Sequence, residues 1–259
     1  MVNRRRKTTT AHWTSSAARR LCVMAGNPPT VPDAVRTVVG RYLDGIESPP
    51  TDLERLCPRL NIIDMRVEDI PFSGELRQER DGFVVIYSST SNGPRRRFTI
   101  AHEMGHAIVA ASGPGWPRTG RELERLCDML ATEILMPREL FLAHCERDVS
   151  LARVQELARL FQTSLSATSI RCAELLGLSI FEMDGEEVRW GYGVVRKGPL
   201  VKLDHIFLAS IKDSLNGEPF EDRVYFRSQQ HPAGWWKLEC QKLGNDGRAL
   251  VLMTPALDR

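Results

Sequence analysis

The sequence predicts an α+β fold, in which a helical portion built around a small sheet is followed by a strand-rich unit, and three observations carry that expectation. Residues 98–109 and 121–136 repeat apolar side chains at intervals of three and four, the pattern of two amphipathic helices. Residues 62–67 and 82–88 are short apolar or alternating runs of strand type that precede them. Residues 178–259 hold five more such runs, at 181–183, 188–192, 224–226, 235–239 and 249–253, with one helical stretch at 203–215. At 259 residues, 42% hydrophobic and 26% charged, the chain is long enough for one large or two modest cores. No apolar run approaches the roughly 18 residues of a membrane span. The N-terminus also lacks the apolar core of a secretory signal, so a cytoplasmic location without a membrane partner is expected. Six cysteines, at 22, 57, 127, 145, 172 and 240, show no paired short spacing and read as reduced thiols.

Residues 1–30 carry Arg4, Arg5, Arg6, Lys7, Arg19 and Arg20 and no acid, which is more positive charge than the net +2 of the whole chain. This basic, Ser- and Thr-rich stretch reads as a disordered tail, with a phosphate-binding arm for nucleic acid as the functional alternative. A helix over 31–45 places Val35, Val38, Val39 and Tyr42 on one side and ends near Gly45. A second is expected over 52–60, capped by Thr51 or Asp52 and closed at Asn61. Residues 112–120 form a Gly- and Pro-rich loop around Trp116, suited either to shaping substrate choice or to covering the core. The helix over 121–136 buries Leu123, Leu126, Cys127, Leu130, Ala131, Ile134 and Leu135, and Pro137 stops it.

From 138 to 177 the chain reads as helical. Ser150 caps a helix with Leu151, Val154, Leu157, Ala158 and Phe161 on one face, and a turn over 162–166 leads to a helix over 167–176. The pair resembles a helix-turn-helix, yet Arg171 is the only basic residue of its second helix, which favours a structural role over DNA reading. In residues 178–259, Trp235 and Trp236 with Arg223, Arg227, Lys237 and Lys242 admit two readings. They are core aromatics among solvated cations, or a stacking surface for single-stranded nucleic acid.

The chemistry concentrates at His102-Glu103-Met104-Gly105-His106. On a helix two histidines four residues apart stand one above the other and can offer two ring nitrogens to one zinc ion. Glu103 projects beside them, where a carboxylate can take a proton from water attacking a carbonyl. The plain alternative is a core helix whose histidines hydrogen-bond, since Ile100, Ala101, Met104, Ala107 and Ile108 would serve it equally well. A zinc site needs a third ligand, and the next helix offers Glu124, with Asp128 one turn on to hold the other ring nitrogen of a ligand histidine. Glu122 and Glu133 compete for that place. Cys22 is a candidate regulatory thiolate for the open metal position.

Two blocks resemble the ImmA/IrrE metallo-endopeptidases. The first is Arg97-Phe98-Thr99-Ile100-Ala101-His102-Glu103-Met104-Gly105-His106, and the second runs from Glu124 through Asp128 and Ala131 to Leu135-Met136-Pro137. Cys127 and Asp128 stand where the family usually has Ala and Asn. The resemblance reaches upstream to about Asp52 and more loosely to Leu176. It implies a zincin-like peptidase domain over 31–137, with zinc on His102, His106 and Glu124 and with Glu103 as base. It also implies a helical segment over 138–177 packed on that domain, and a small α+β sensor-like domain, GAF-like in some members, over 178–259. In zincins the strand before the motif is often an edge that pairs with substrate, so residues 83–87 are the expected cleft wall, with Tyr87 either polarising the scissile carbonyl or simply packing. The same pattern makes two of the run Arg95, Arg96 and Arg97 ordinary residues paired with acids or solvent. The implied substrate is a helix-turn-helix transcriptional repressor, cut to switch on a stress, DNA-damage or mobile-element response. Single-stranded DNA or a small molecule is the expected activator at the C-terminal domain. The rival is a non-catalytic zinc-binding regulator that acts by binding nucleic acid or a protein.

Overall fold

The computed structural model describes residues 15–113, 120–145, 149–184, 187–193, 198–199, 220–226, 234–243 and 248–255. Two compact units are formed, one by Met1–Ala143 with Leu160–Ser164 and the other by His144–Arg159 with Leu165–Arg259. Among the described residues no helix is long and apolar enough to cross a membrane.

The first unit opens with α1 (Ser16–Met24), where disorder was expected. Ser15 caps it by accepting from the Ala18 N–H at 3.3 Å, and Ala17, Ala18 and Leu21 are buried, so a local start signal and an apolar stripe outweigh the basic composition. Arg4 to Lys7 lie outside the described residues. α2 (Val31–Tyr42) is capped by Thr30 and buries Val31, Ala34, Val35, Val38 and Val39. The helix expected over 52–60 is instead two 3-10 turns, Glu54–Leu56 and Pro58–Leu60. Pro58 has no N–H to continue an α-helix, and Asn61, at φ 55°, turns the chain into the sheet.

That sheet has three strands in the order β1-β3-β2: β1 (Ile62–Glu68), β2 (Gly74–Gln78) and β3 (Phe83–Ser88). β3 runs parallel to β1 and antiparallel to β2, and its Val84, Val85 and Ile86 are fully buried. It is therefore the central strand and cannot be the substrate-pairing edge expected from its sequence position. β2 is an edge, and sequence reasoning missed it because Gly74-Glu-Leu-Arg-Gln has one apolar residue and no alternation. Behind the sheet lie α3 (Gly93–Ala111) and α4 (Arg121–Leu135), followed by α5 (Arg138–Ala143). Phe141 and Phe161, both fully buried, meet with ring centroids 5.1 Å apart.

The second unit holds most of α6 (Leu151–Phe161), together with α7 (Leu165–Leu176) and a six-stranded antiparallel sheet. Its strands are β4 (Ser179–Asp184), β5 (Glu187–Tyr192), β6 (Gly198–Pro199), β7 (Phe220–Phe226), β8 (Gly234–Leu243) and β9 (Arg248–Pro255), in the order β6-β5-β4-β9-β8-β7. β6, two residues long, carries no sequence signal. Glu239 on β8 accepts from the Leu151 N–H at 2.8 Å and so caps α6, while Gln155 reaches Gln241 at 2.9 Å. Residues 138–177 are thus not one segment on the first unit: these bonds hold α6 on the second sheet, and α7 lies against β4 and β5. Arg171 is 4% exposed and ion-paired with Glu174 at 3.2 Å, which keeps it inside this unit as a structural residue. The helix expected over 203–215 lies outside the described residues.

Candidate metal centre

α3 carries His102 and His106 on consecutive turns, with ring centroids 5.0 Å apart at 64°. α4 crosses close beside it because Gly105 presents no side chain. A methyl group there would stand 3.2 Å from the Cys127 Cα, the Cys127 carbonyl oxygen and the Leu130 Cβ. That approach brings Glu124 and Asp128 over the histidines. Asp128 Oδ1 lies 2.9 Å from His102 Nδ1, and Glu124 Oε2 lies 3.1 Å from His102 Nε2 and 3.7 Å from His106 Nε2. His102, His106 and Glu124 each offer a ligand atom within 4.8 Å of the others, the one such grouping among the described residues. With Asp128 accepting from the Nδ1–H of His102, the lone pair of Nε2 faces a carboxylate oxygen. A proton on the imidazole can join that pair as a hydrogen bond, and a metal cation can take its place; two imidazoles with one carboxylate suit zinc in chemistry and number.

Glu103, 7% exposed, lies on the side of α3 next to β2. Burial raises its carboxyl to about 7; His102 and the Leu76 N–H, which donates to it, pull the other way, while Glu124 and Glu75 add to the rise. A carboxylate that titrates near neutrality can both accept and return a proton. For His102, burial opposes the charged form, but the Asp128 hydrogen bond and the charges of Glu103, Asp128 and Glu124 outweigh it, and its pKa ends above the ordinary histidine value. His106 is held below that value by burial and by His102.

Residues 54–173 match the family described as peptidase M78, IrrE N-terminal-like domain. The radiation response metalloprotease IrrE of Deinococcus radiodurans is 27% identical over 154 residues, which is 53% of this chain and 46% of that protein. Over residues 54–173 the chain is similar to the ImmA/IrrE family, at modest identity. It spans about half the length of that curated relative. A Mycobacterium tuberculosis transcriptional regulator shares its fold at a TM-score of 0.53 and 14% identity, over 92% of this chain and 79% of the regulator.

The other residues singled out in the sequence fall elsewhere. Cys22 lies on α1, half-buried, outside the grouping of metal-capable atoms. Glu133 is buried and accepts from the Arg138 N–H at 2.9 Å, so it caps α5. Arg96 holds the Ser91 carbonyl and lies 5.6 Å from the centre of the Tyr87 ring, and Arg97 donates to the Thr51 carbonyl at 2.8 Å. Arg95 reaches Ser73 Oγ at 3.5 Å, so none of the three takes an acid. Trp236 is 6% exposed and Trp235 53%, which divides the pair between the two faces of β8 and rules out joint stacking on one ligand. Arg227 and Trp116 lie outside the described residues. Sequence reasoning missed Gly74 and Leu76 of β2. A methyl group on Gly74 would collide with the Thr99 side chain and stand 3.4 Å from Glu103 Oε1, so this glycine lets the edge strand lie against Glu103.

Proposed function

We propose that this protein is a zinc-dependent endopeptidase, and the convergence of His102, His106 and Glu124 beside the buried Glu103 is the observation that carries the reading. Zinc held by those three residues supplies a Lewis acid that acidifies water and polarises a carbonyl. Asp128 holds the Nδ1–H of His102 and so keeps Nε2 free to ligate. Glu103 removes the proton from the attacking water and delivers it to the leaving amine. The substrate backbone lies as an added strand along β2, whose outer edge adjoins Glu103.

The relative's title as a radiation response metalloprotease supports the class of response. The substrate is a helix-turn-helix repressor whose cleavage in the cytoplasm releases stress or DNA-damage genes. The second unit, an antiparallel sheet with α7 against it, is a GAF-like sensor that receives the activating signal, single-stranded DNA or a small molecule.

The test is cleavage of the repressor-like protein encoded beside this gene, by wild type and by Glu103→Gln, each with zinc and with or without single-stranded DNA. Cutting by wild type alone, with zinc bound equally in both proteins, is the expected result. Equal cutting by the variant removes Glu103 from the mechanism, and absence of cutting in all lanes with zinc bound moves the reading to a regulator that acts by binding.

A further inference from the structure

Away from the metal centre, the N-terminal end of α3 borders a cavity of about 390 Å³ lined by Ile70, Pro71, Phe72, Ser73, Ser88, Thr90, Ser91, Asn92 and Arg95. Its size is that of a small-molecule site. Its two sides differ in chemistry: Ile70, Pro71 and the 47%-exposed Phe72 make one, while four hydroxyls, an amide and a guanidinium make the other, and no lining residue is an acid.

The polar side is short of partners. Ser91 is 5% exposed, and its hydrogen bonds run through its backbone, to Ser88 and from Arg96, so its hydroxyl makes no bond within the protein and is open at the cavity wall. Asn92, the N-cap, makes no side-chain capping bond, and the first turn of α3 holds Arg95 and Arg96 but no acid. The first intrahelical acceptance is from the Arg96 N–H to Asn92, so the N–H groups of Gly93 and Arg95 remain for a ligand. Ser88 and Thr90 are tied to each other at 2.9 Å, and Arg95 reaches across to Ser73 at 3.5 Å. The Ser91 hydroxyl, the Asn92 amide and the Arg95 guanidinium line the cavity at the N-terminal, positive end of a 19-residue helix, where a phosphate oxyanion would sit.

We propose that this cavity binds a small organic phosphate monoester of the nucleotide kind, with its phosphate on Ser91, Asn92, Arg95 and the open N–H groups of α3 and its organic part against Phe72. The site lies about 15 Å along α3 from His102, at 1.5 Å per residue. It is therefore separate from the metal centre and on the same rigid element.

Calorimetric titration of the full-length chain with AMP, adenosine and inorganic phosphate tests this without any turnover, so its outcome is independent of the peptidase reading. AMP is expected to bind, phosphate to bind more weakly and to compete with it, and adenosine to show no heat. Arg95→Glu, at an exposed position that leaves the fold intact by circular dichroism, should weaken AMP by at least about tenfold. Phe72→Ala should weaken AMP and leave phosphate unchanged. Adenosine binding as well as AMP, AMP binding unaltered by Arg95→Glu, or no heat from AMP or phosphate at millimolar concentration overturns the proposal. Binding of a 5′-phosphorylated oligonucleotide where AMP fails overturns it too, by showing a nucleic-acid surface instead.

Discussion

Asp128 stands where the family usually has an amide, and its carboxylate does the same work: it accepts from Nδ1 of His102 at 2.9 Å. Asp128→Asn should therefore keep most of the metal affinity, because the amide oxygen still accepts. Asp128→Ala releases the ring and should lower metal affinity about 10- to 100-fold, read by competition with a chromogenic chelator. That His102 and His106 share one face, and Glu124 and Asp128 another, was legible from spacing, since a helix turns by a fixed angle and whatever repeats at four must share a face; that the two faces meet is what the structure adds. Leu76 was not legible. Its contribution to Glu103 is a backbone N–H, which any residue carries, and no spacing rule points from residue 76 to residue 103. The Trp235-Trp236 pair misled for the opposite reason, because adjacency in sequence means opposition on a strand.

Between α3 and α4 the decisive feature is a missing side chain. Gly105→Ala sets a methyl group 3.2 Å from backbone atoms of Cys127, which cannot rotate away as a side-chain tip can. The helices must separate, with an expected loss of about 1–3 kcal/mol by chemical denaturation. Glu124 and Asp128 ride on α4, so metal affinity should fall in the same variant, whereas an alanine at an exposed position of α4, such as Arg121→Ala, should change neither quantity. The long amphipathic helices were legible at this scale because periodicity over three or more turns has few other solutions. The stretch over 52–60 was not, because Cys57-Pro58 breaks what the apolar spacing suggests. β3 was found as a strand but misplaced as an edge. Burial on a central strand and burial beneath a helix look the same in a string of valines, and only the unseen β2 distinguishes them.

The whole molecule carries two cores, and they should melt separately. Zinc in excess is expected to raise the midpoint of the first transition alone, by mass action on the unit that holds His102, His106 and Glu124. Trp190, Trp235 and Trp236 all belong to the second unit, so tryptophan fluorescence should follow mainly the transition that zinc leaves in place. Phe161→Ala should destabilise the first unit by about 3–5 kcal/mol, although its neighbours at 144–159 belong to the second. Composition could set the strand-rich region apart, but not this interleaving, because nothing in residues 160–164 marks which core they enter. The interleaving also bears on synthesis. On a translating ribosome the first core stays open until Phe161 has left the exit tunnel, when none of β4 to β9 has yet emerged. The helices that carry His102, His106, Glu124 and Asp128 must therefore spend that interval with an apolar socket exposed, and a chaperone that recognises exposed phenylalanine pockets has its opportunity there, before the second unit exists.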